Sequence, residues 1–195
     1  MQMRWLWRFL WWLMGDGDDM KDVYAHFGLT FSHGCNVEGI LANLILTVDF
    51  VKRMYEESKK AGKPIYDRYT MGHKLEEYLA EQHAKTFGQL ISRKGGIKEL
   101  LKLDPALEKR VDEAKRRRDY LAHNFWRERG QEAISVRRRG AVISDLQADR
   151  TFFEGLANDL EALAMGEVRK IGLDADRLKS NVDASVKRVQ QELAR

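Results

Sequence analysis

Only two prolines, Pro64 and Pro105, stand in 195 residues, and that scarcity constrains the fold more than any other feature. Proline breaks helices and punctuates the turns of many-stranded chains. Long proline-free stretches rich in Ala, Leu, Glu, Lys and Arg therefore predict helices. The apolar spacing agrees. From Lys21 to about Lys60, Val23, Phe27, Phe31, Ile40, Leu44, Val48 and Val51 recur on one flank, with Leu41, Ile45 and Met54 beside them. Gly28, Gly34 and Gly39 each cost such a helix roughly 1 kcal/mol against alanine, and their presence predicts close approach of another helix. Gly62-Lys63-Pro64 ends the stretch.

A second amphipathic segment is expected from about Asp67 to Ser92, with Leu75, Tyr78, Leu79, Phe87, Leu90 and Ile91 inward, broken by Gly95-Gly96. Asp104-Pro105 has the form of an N-cap followed by proline at the first helical position; the helix it opens is expected to run to about Arg129. Gly130 to Ile143 reads as irregular or a small hairpin around Arg139-Gly140. Ser144-x-x-Gln147 reads as a capping box opening another helix to about Lys170, closed by Gly172. From Asp174 a terminal helix carries the narrow stripe Leu178, Val182, Val186, Val189, Leu193. The expectation is an all-α bundle of about five to six helices over 20–172, followed by a C-terminal amphipathic helix over 173–195.

Residues 1–19 stand apart as an extension and linker. The first fourteen, MQMRWLWRFLWWLM, hold four of the five tryptophans. They are too short and too interrupted by Arg4 and Arg8 for a spanning helix of roughly 20 apolar residues. Gly15 to Asp19 offers no signal-peptide cleavage site and reads as a flexible break, so the leader is expected to be detachable. A membrane partner is disfavoured, an interfacial Trp-rich anchor being the weaker alternative. The lone Cys35 excludes a disulfide framework and a Cys-based zinc site, and it fits a reducing, cytoplasmic setting. His26 and His33, like His73 and His83, lack the i, i+4 spacing of a helical metal site. No phosphate-binding or dinucleotide glycine motif occurs, so neither metal nor cofactor is expected.

The chemistry concentrates in PALEKRVDEAKRRRDYLAHNFWRERG. Its stripe of Leu107, Val111 and Ala114, then Leu121 and Phe125, calls for an apolar residue where Arg118 stands. An arginine on a burying face is costly unless it is paired or set in a cleft or interface. Asp119 and His123 are i and i+4 and share a face, so the carboxylate can orient the imidazole. Arg118 and His123 lie about 140° apart around an ideal helix. To act on one substrate, the helix must distort or two copies of the chain must pool their pairs.

The string Arg118-Asp119-x-x-x-His123 within RRRDYLAHNFW resembles the R-x4-H motif of the HEPN superfamily, and the resemblance covers residues 21 to 172. It implies a HEPN-like helical bundle. It also implies a metal-independent endoribonuclease, often a toxin or defence effector, whose two motifs meet in a homodimer cleft and which an antitoxin or other regulatory protein restrains. Arg118 and His123 would be catalytic and Asp119 their polar companion. One departure is Phe125, which stands where toxins silenced by nucleotidyltransferase antitoxins often carry the modified tyrosine.

Under that reading, His123 serves as general base on the 2′-hydroxyl or general acid on the leaving 5′-oxygen, and Arg118 stabilises the scissile phosphate. Arg116, Arg117, Trp126 and Arg127 are candidates for holding RNA, the arginines by phosphate contact and the tryptophan by stacking. From Lys109 to Arg139, eleven basic residues stand against five acidic ones, a net of +6, while the whole chain carries +4. The competing reading is a catalytically silent helical module for protein interaction or regulation, with the Arg-Asp-His cluster an ordinary polar surface.

Overall fold

The computed structural model describes residues 17–64 and 67–177 together with positions 180, 184, 187, 191 and 192. Helix α1 spans Gly17–Ile45, passes through a π-helical turn at Leu46–Val51 and continues as α2, Lys52–Ala61. Gly62, at φ +66°, takes the left-handed conformation that ends α2. Helix α3 (Arg68–His83) starts at the N-cap Asp67, whose carboxylate accepts from the Thr70 amide at 2.8 Å. Two single-turn helices follow, α4 (Phe87–Leu90) behind a Thr86/Gln89 capping box and α5 (Ile97–Leu100). Helix α6 (Pro105–His123) opens as its sequence predicts, with Asp104 accepting from the Ala106 amide at 2.7 Å. Then come α7 (Phe125–Ile134) and α8 (Val136–Lys170). Eight α-helices and the π-helical turn, against the five to six helices expected, make up the described fold, the surplus coming from short helices and from breaks inside longer segments; no strand occurs among the described residues.

The core lies where α1 packs against α8, with α6 closing one side. Val37, Leu41 and Leu44 of α1 meet Leu146, Phe153, Leu156 and Leu160 of α8, and all are buried. Thr30 is the polar exception on α1. It is 1% exposed, and its hydroxyl proton is shared between the His26 carbonyl at 2.7 Å and the Leu146 carbonyl of α8 at 2.9 Å, so the group is satisfied. By length and composition Met20–Ala61 is apolar enough to cross a membrane; 44% of its most apolar window is buried against other helices, which is where that apolar character is used.

Four expectations about boundaries are corrected. Gly17 to Asp19 already belong to α1, so the break read at Gly15–Asp19 does not extend over them. The segment expected at 67–92 divides at Ala84–Thr86 into α3 and α4. The motif helix stops at His123 rather than near Arg129, because Asn124 leaves helical geometry (φ −121°, ψ −28°) before α7 begins. Finally, Gly130 to Ile143 is helical apart from Ser135, and Ser144 lies inside α8. There, burial of Val142 and Leu146 overrides the cost of Gly140, and Arg139 donates to the Ala133 and Ile134 carbonyls left open at the end of α7. The Trp-rich leader and the stripe from Leu178 to Leu193 lie outside the described residues.

Candidate functional site

The misfit Arg118 is accommodated by two residues of α1. Gly34 leaves room, since a Cβ there would lie 3.3 Å from Arg118 Cγ. One turn on, Glu38 supplies the counter-charge: Arg118 Nη2 lies 3.1 Å from Glu38 Oε1 and donates to Oε2 at 3.2 Å. The arginine side chain is 25% exposed and passes 5.8 Å from the Phe31 ring centre. Its Nε is buried and makes no hydrogen bond among the described residues, a donor left unsatisfied at a cost rather than one open to a ligand. Its Nη1 sits 3.6 Å from Asp119 Oδ1. Glu38 was not legible as a partner; the two available signals were the misplaced arginine and the glycine in α1.

Asp119 does not hold His123. Its Oδ2 accepts from Lys115 Nζ at 2.5 Å, an i−4 ammonium whose full charge outcompetes an imidazole. Lys115, Asp119 and His123 thus mark one face of α6, and Arg118 reaches toward that face through Asp119. His123, the last residue of α6, is exposed and has no hydrogen-bond or ion-pair partner among the described residues.

The four residues expected to hold RNA are more committed than their spacing implies. Arg117 donates to Glu113 at 2.8 Å and to Asp149 of α8 at 2.7 Å, and its guanidinium lies 4.2 Å from the Phe152 ring centre; it clips α6 to α8. Arg116 is exposed and pairs with Glu113. Arg127 is exposed and donates to Asn124 at 2.6 Å. Trp126 stands 5.0 Å from each of Tyr24, Phe27 and Phe125 in an aromatic cluster against the core, so it is packed there rather than standing as a free stacking platform. Buried Phe125 belongs to the same cluster. Arg110 and Arg129 are also paired with carboxylates, so the +6 run is largely neutralised side chain by side chain.

Beside Arg118, a cleft of about 430 Å³ opens between α1 and the α3–α4 corner, lined by Ser32, Cys35, Glu38, His83, Lys85 and Leu90. Burial pushes the Cys35 thiol up, Glu38 adds to this and Arg118 partly offsets it, so the cysteine is a poor nucleophile here. Among the described residues, no three His, Cys, Asp or Glu side chains gather closely enough to hold a metal ion.

Burial also holds the Glu38 carboxyl above its ordinary range; Arg118 pulls it back and Asp119 pushes it further up. The folded chain therefore binds this proton more tightly than the unfolded chain does. Stability from Glu38 is greatest below the unfolded value, falls as pH rises toward the folded value, and is level above it. Glu38→Gln is expected to remove that slope. Urea unfolding of wild type and variant between about pH 4 and 7 checks this as a difference, in which the opposite slope of Glu113, lowered by Arg117 and Arg116, cancels. An unchanged difference across the window defeats the expectation.

No protein-family profile, no curated protein and no solved structure matches the chain. What the site can do is set by its own chemistry.

Proposed function

We propose that the chain is a metal-independent endoribonuclease of HEPN type, acting in the cytoplasm as a homodimer whose two Arg118–His123 pairs share one cleft. The observation that carries this reading is the course of Arg118. Its guanidinium is paired with Glu38 at 3.1 Å and ends 3.6 Å from Asp119, which stands one turn before His123, unpartnered among the described residues. In the reaction, a 2′-oxygen attacks the adjacent phosphorus while one His123 takes its proton. The P–O5′ bond breaks, the second protomer's histidine protonates the departing 5′-oxygen, and Arg118 stabilises charge on the non-bridging oxygens. The products are a 2′,3′-cyclic phosphate and a 5′-hydroxyl. A toxin or defence role, restrained by an antitoxin or other regulatory protein, accompanies this reading.

The Arg118–Glu38 pair favours a second reading, a silent helical module in which the pair is a strut between α1 and α6. Incubation of a mixed-sequence RNA with the full chain in EDTA separates them. Cleavage to fragments with cyclic-phosphate ends is expected. Intact RNA at every enzyme concentration sinks the first reading.

A further inference from the structure

Most cations flanking α6 face a carboxylate; Lys85 does not. Its ammonium donates to Gln82 Oε1 at 2.7 Å, and Gln82 is 1% exposed on the last turn of α3. Lys85 has no carboxylate in ion-pair reach among the described residues. A buried neutral amide thus fixes a lysine while leaving its charge uncompensated, which lowers the entropy cost of gripping an anion.

Lys85 also stands where two clefts meet. One is the cleft beside Arg118. The other, about 380 Å³, continues past Thr86, Gln89 and Ser92 to Lys94 and has no carboxylate in its lining. Lys94 is exposed and has no ion-pair partner among the described residues. The second cleft borders α6 through Gly88, where a Cβ would lie 3.2 Å from Lys115 Cε. Lys115 in turn holds Asp119 next to Arg118. The second cleft thus borders α6 at Lys115, on the face that carries Asp119 and His123, and the first reaches α6 through the Glu38–Arg118 pair.

We infer that the two clefts form one track for single-stranded RNA flanking the scissile phosphate, with backbone phosphates held by Lys85 at the junction and by Lys94 beyond it. Hydroxyls and amides (Ser32, Asn36, Thr86, Gln89, Ser92) line much of the track, and the one carboxylate on its wall among the described residues, Glu38, is paired with Arg118; this suits sugar and phosphate contacts rather than base readout. This inference rests on the ribonuclease reading.

The test uses the full chain and a short, mixed-sequence 2′-O-methyl oligoribonucleotide, which lacks the attacking hydroxyl. Binding is followed by fluorescence anisotropy across a salt series. Each of Lys85→Gln and Lys94→Gln is expected to weaken binding and to reduce the slope of log K against log salt by about 0.7, the single-strand value per phosphate contact. On cleavable RNA the double variant is expected to show a several-fold higher KM with kcat unchanged. Both side chains reach solvent, and equal thermal midpoints establish that the variants fold. If the wild type cleaves and the double variant keeps its KM and salt slope, the track is overturned and the nuclease reading stands. Lysine-dependent binding without cleavage by the wild type overturns the nuclease reading and leaves the track as a nucleic-acid site. No binding and no cleavage overturn both.

Discussion

His123→Ala is expected to slow RNA cleavage by about 10²- to 10⁴-fold, the usual cost of removing a general acid or base, without lowering the unfolding midpoint. The side chain is exposed at the end of α6 and partners nothing among the described residues, so its loss leaves neither a hole nor an orphaned polar group. Arg118→Ala is expected to behave differently. It too slows cleavage, but it strands the Glu38 carboxylate, which is 19% exposed, and a largely buried charge deprived of its partner destabilises the fold. Arg118→Lys restores the charge without the fork of donors; stability should partly recover while the rate does not. Single-turnover cleavage and urea unfolding, measured side by side on the three variants, read the two roles separately. A His123→Ala protein that cleaves at the wild-type rate removes this residue from the chemistry. Loss of stability in Arg118→Ala, with no RNA product from any form, leaves the strut between α1 and α6 as the role of that arginine.

What local sequence could disclose about this site follows from which interactions are local. The start of α6 was legible because an N-cap aspartate and a first-turn proline act within three residues of themselves. The end of α2 at Gly62 was legible for the same reason. The stop at His123 was not, since nothing in His-Asn-Phe-Trp forbids helix; packing of Phe125 and Trp126 against Phe27 accompanies the break. The long α8 was hidden by Gly140 and the run Arg137–Arg139, which resemble a turn until Val142 and Leu146 find α1. At Asp119 the expected partner was His123, four residues after, and Lys115, which stands four residues before at the same helical spacing, was passed over. The charge on Lys115 decides between them. Glu38 stands eighty positions from Arg118, beyond any periodicity argument. Even so, the arginine in an apolar stripe and one of the three glycines in α1 marked a special contact, the two sides of one interface; Gly28 has nothing within 4 Å of where a Cβ would stand and Gly39 only His83 at 4.0 Å, so neither marks a close approach.

Phe153→Ala is expected to have the largest effect on the fold, a loss of about 3–5 kcal/mol, which compares with the roughly 5–15 kcal/mol that holds a typical domain together. Phe153 is fully buried on α8. Its ring tip would lie 3.4 Å from a Cβ at Gly34, so it fills the space the glycine leaves open. Phe152 stands edge-on at 5.8 Å but is half-buried and stacks under Arg117. It cannot close over the gap without abandoning that cation. The truncation therefore leaves a cavity on the α1–α8 seam rather than a dent that collapses. Gly34 also abuts Arg118 Cγ, so the same cavity loosens the bed of the arginine, and cleavage by whatever fraction remains folded should fall as well. Phe153→Leu retains most of the volume and is expected to recover more than half of the loss. Urea unfolding of the two variants measures this. An alanine variant within about 1 kcal/mol of wild type, the range of ordinary substitutions, would mean that α1 and α8 do not meet at Gly34 as described.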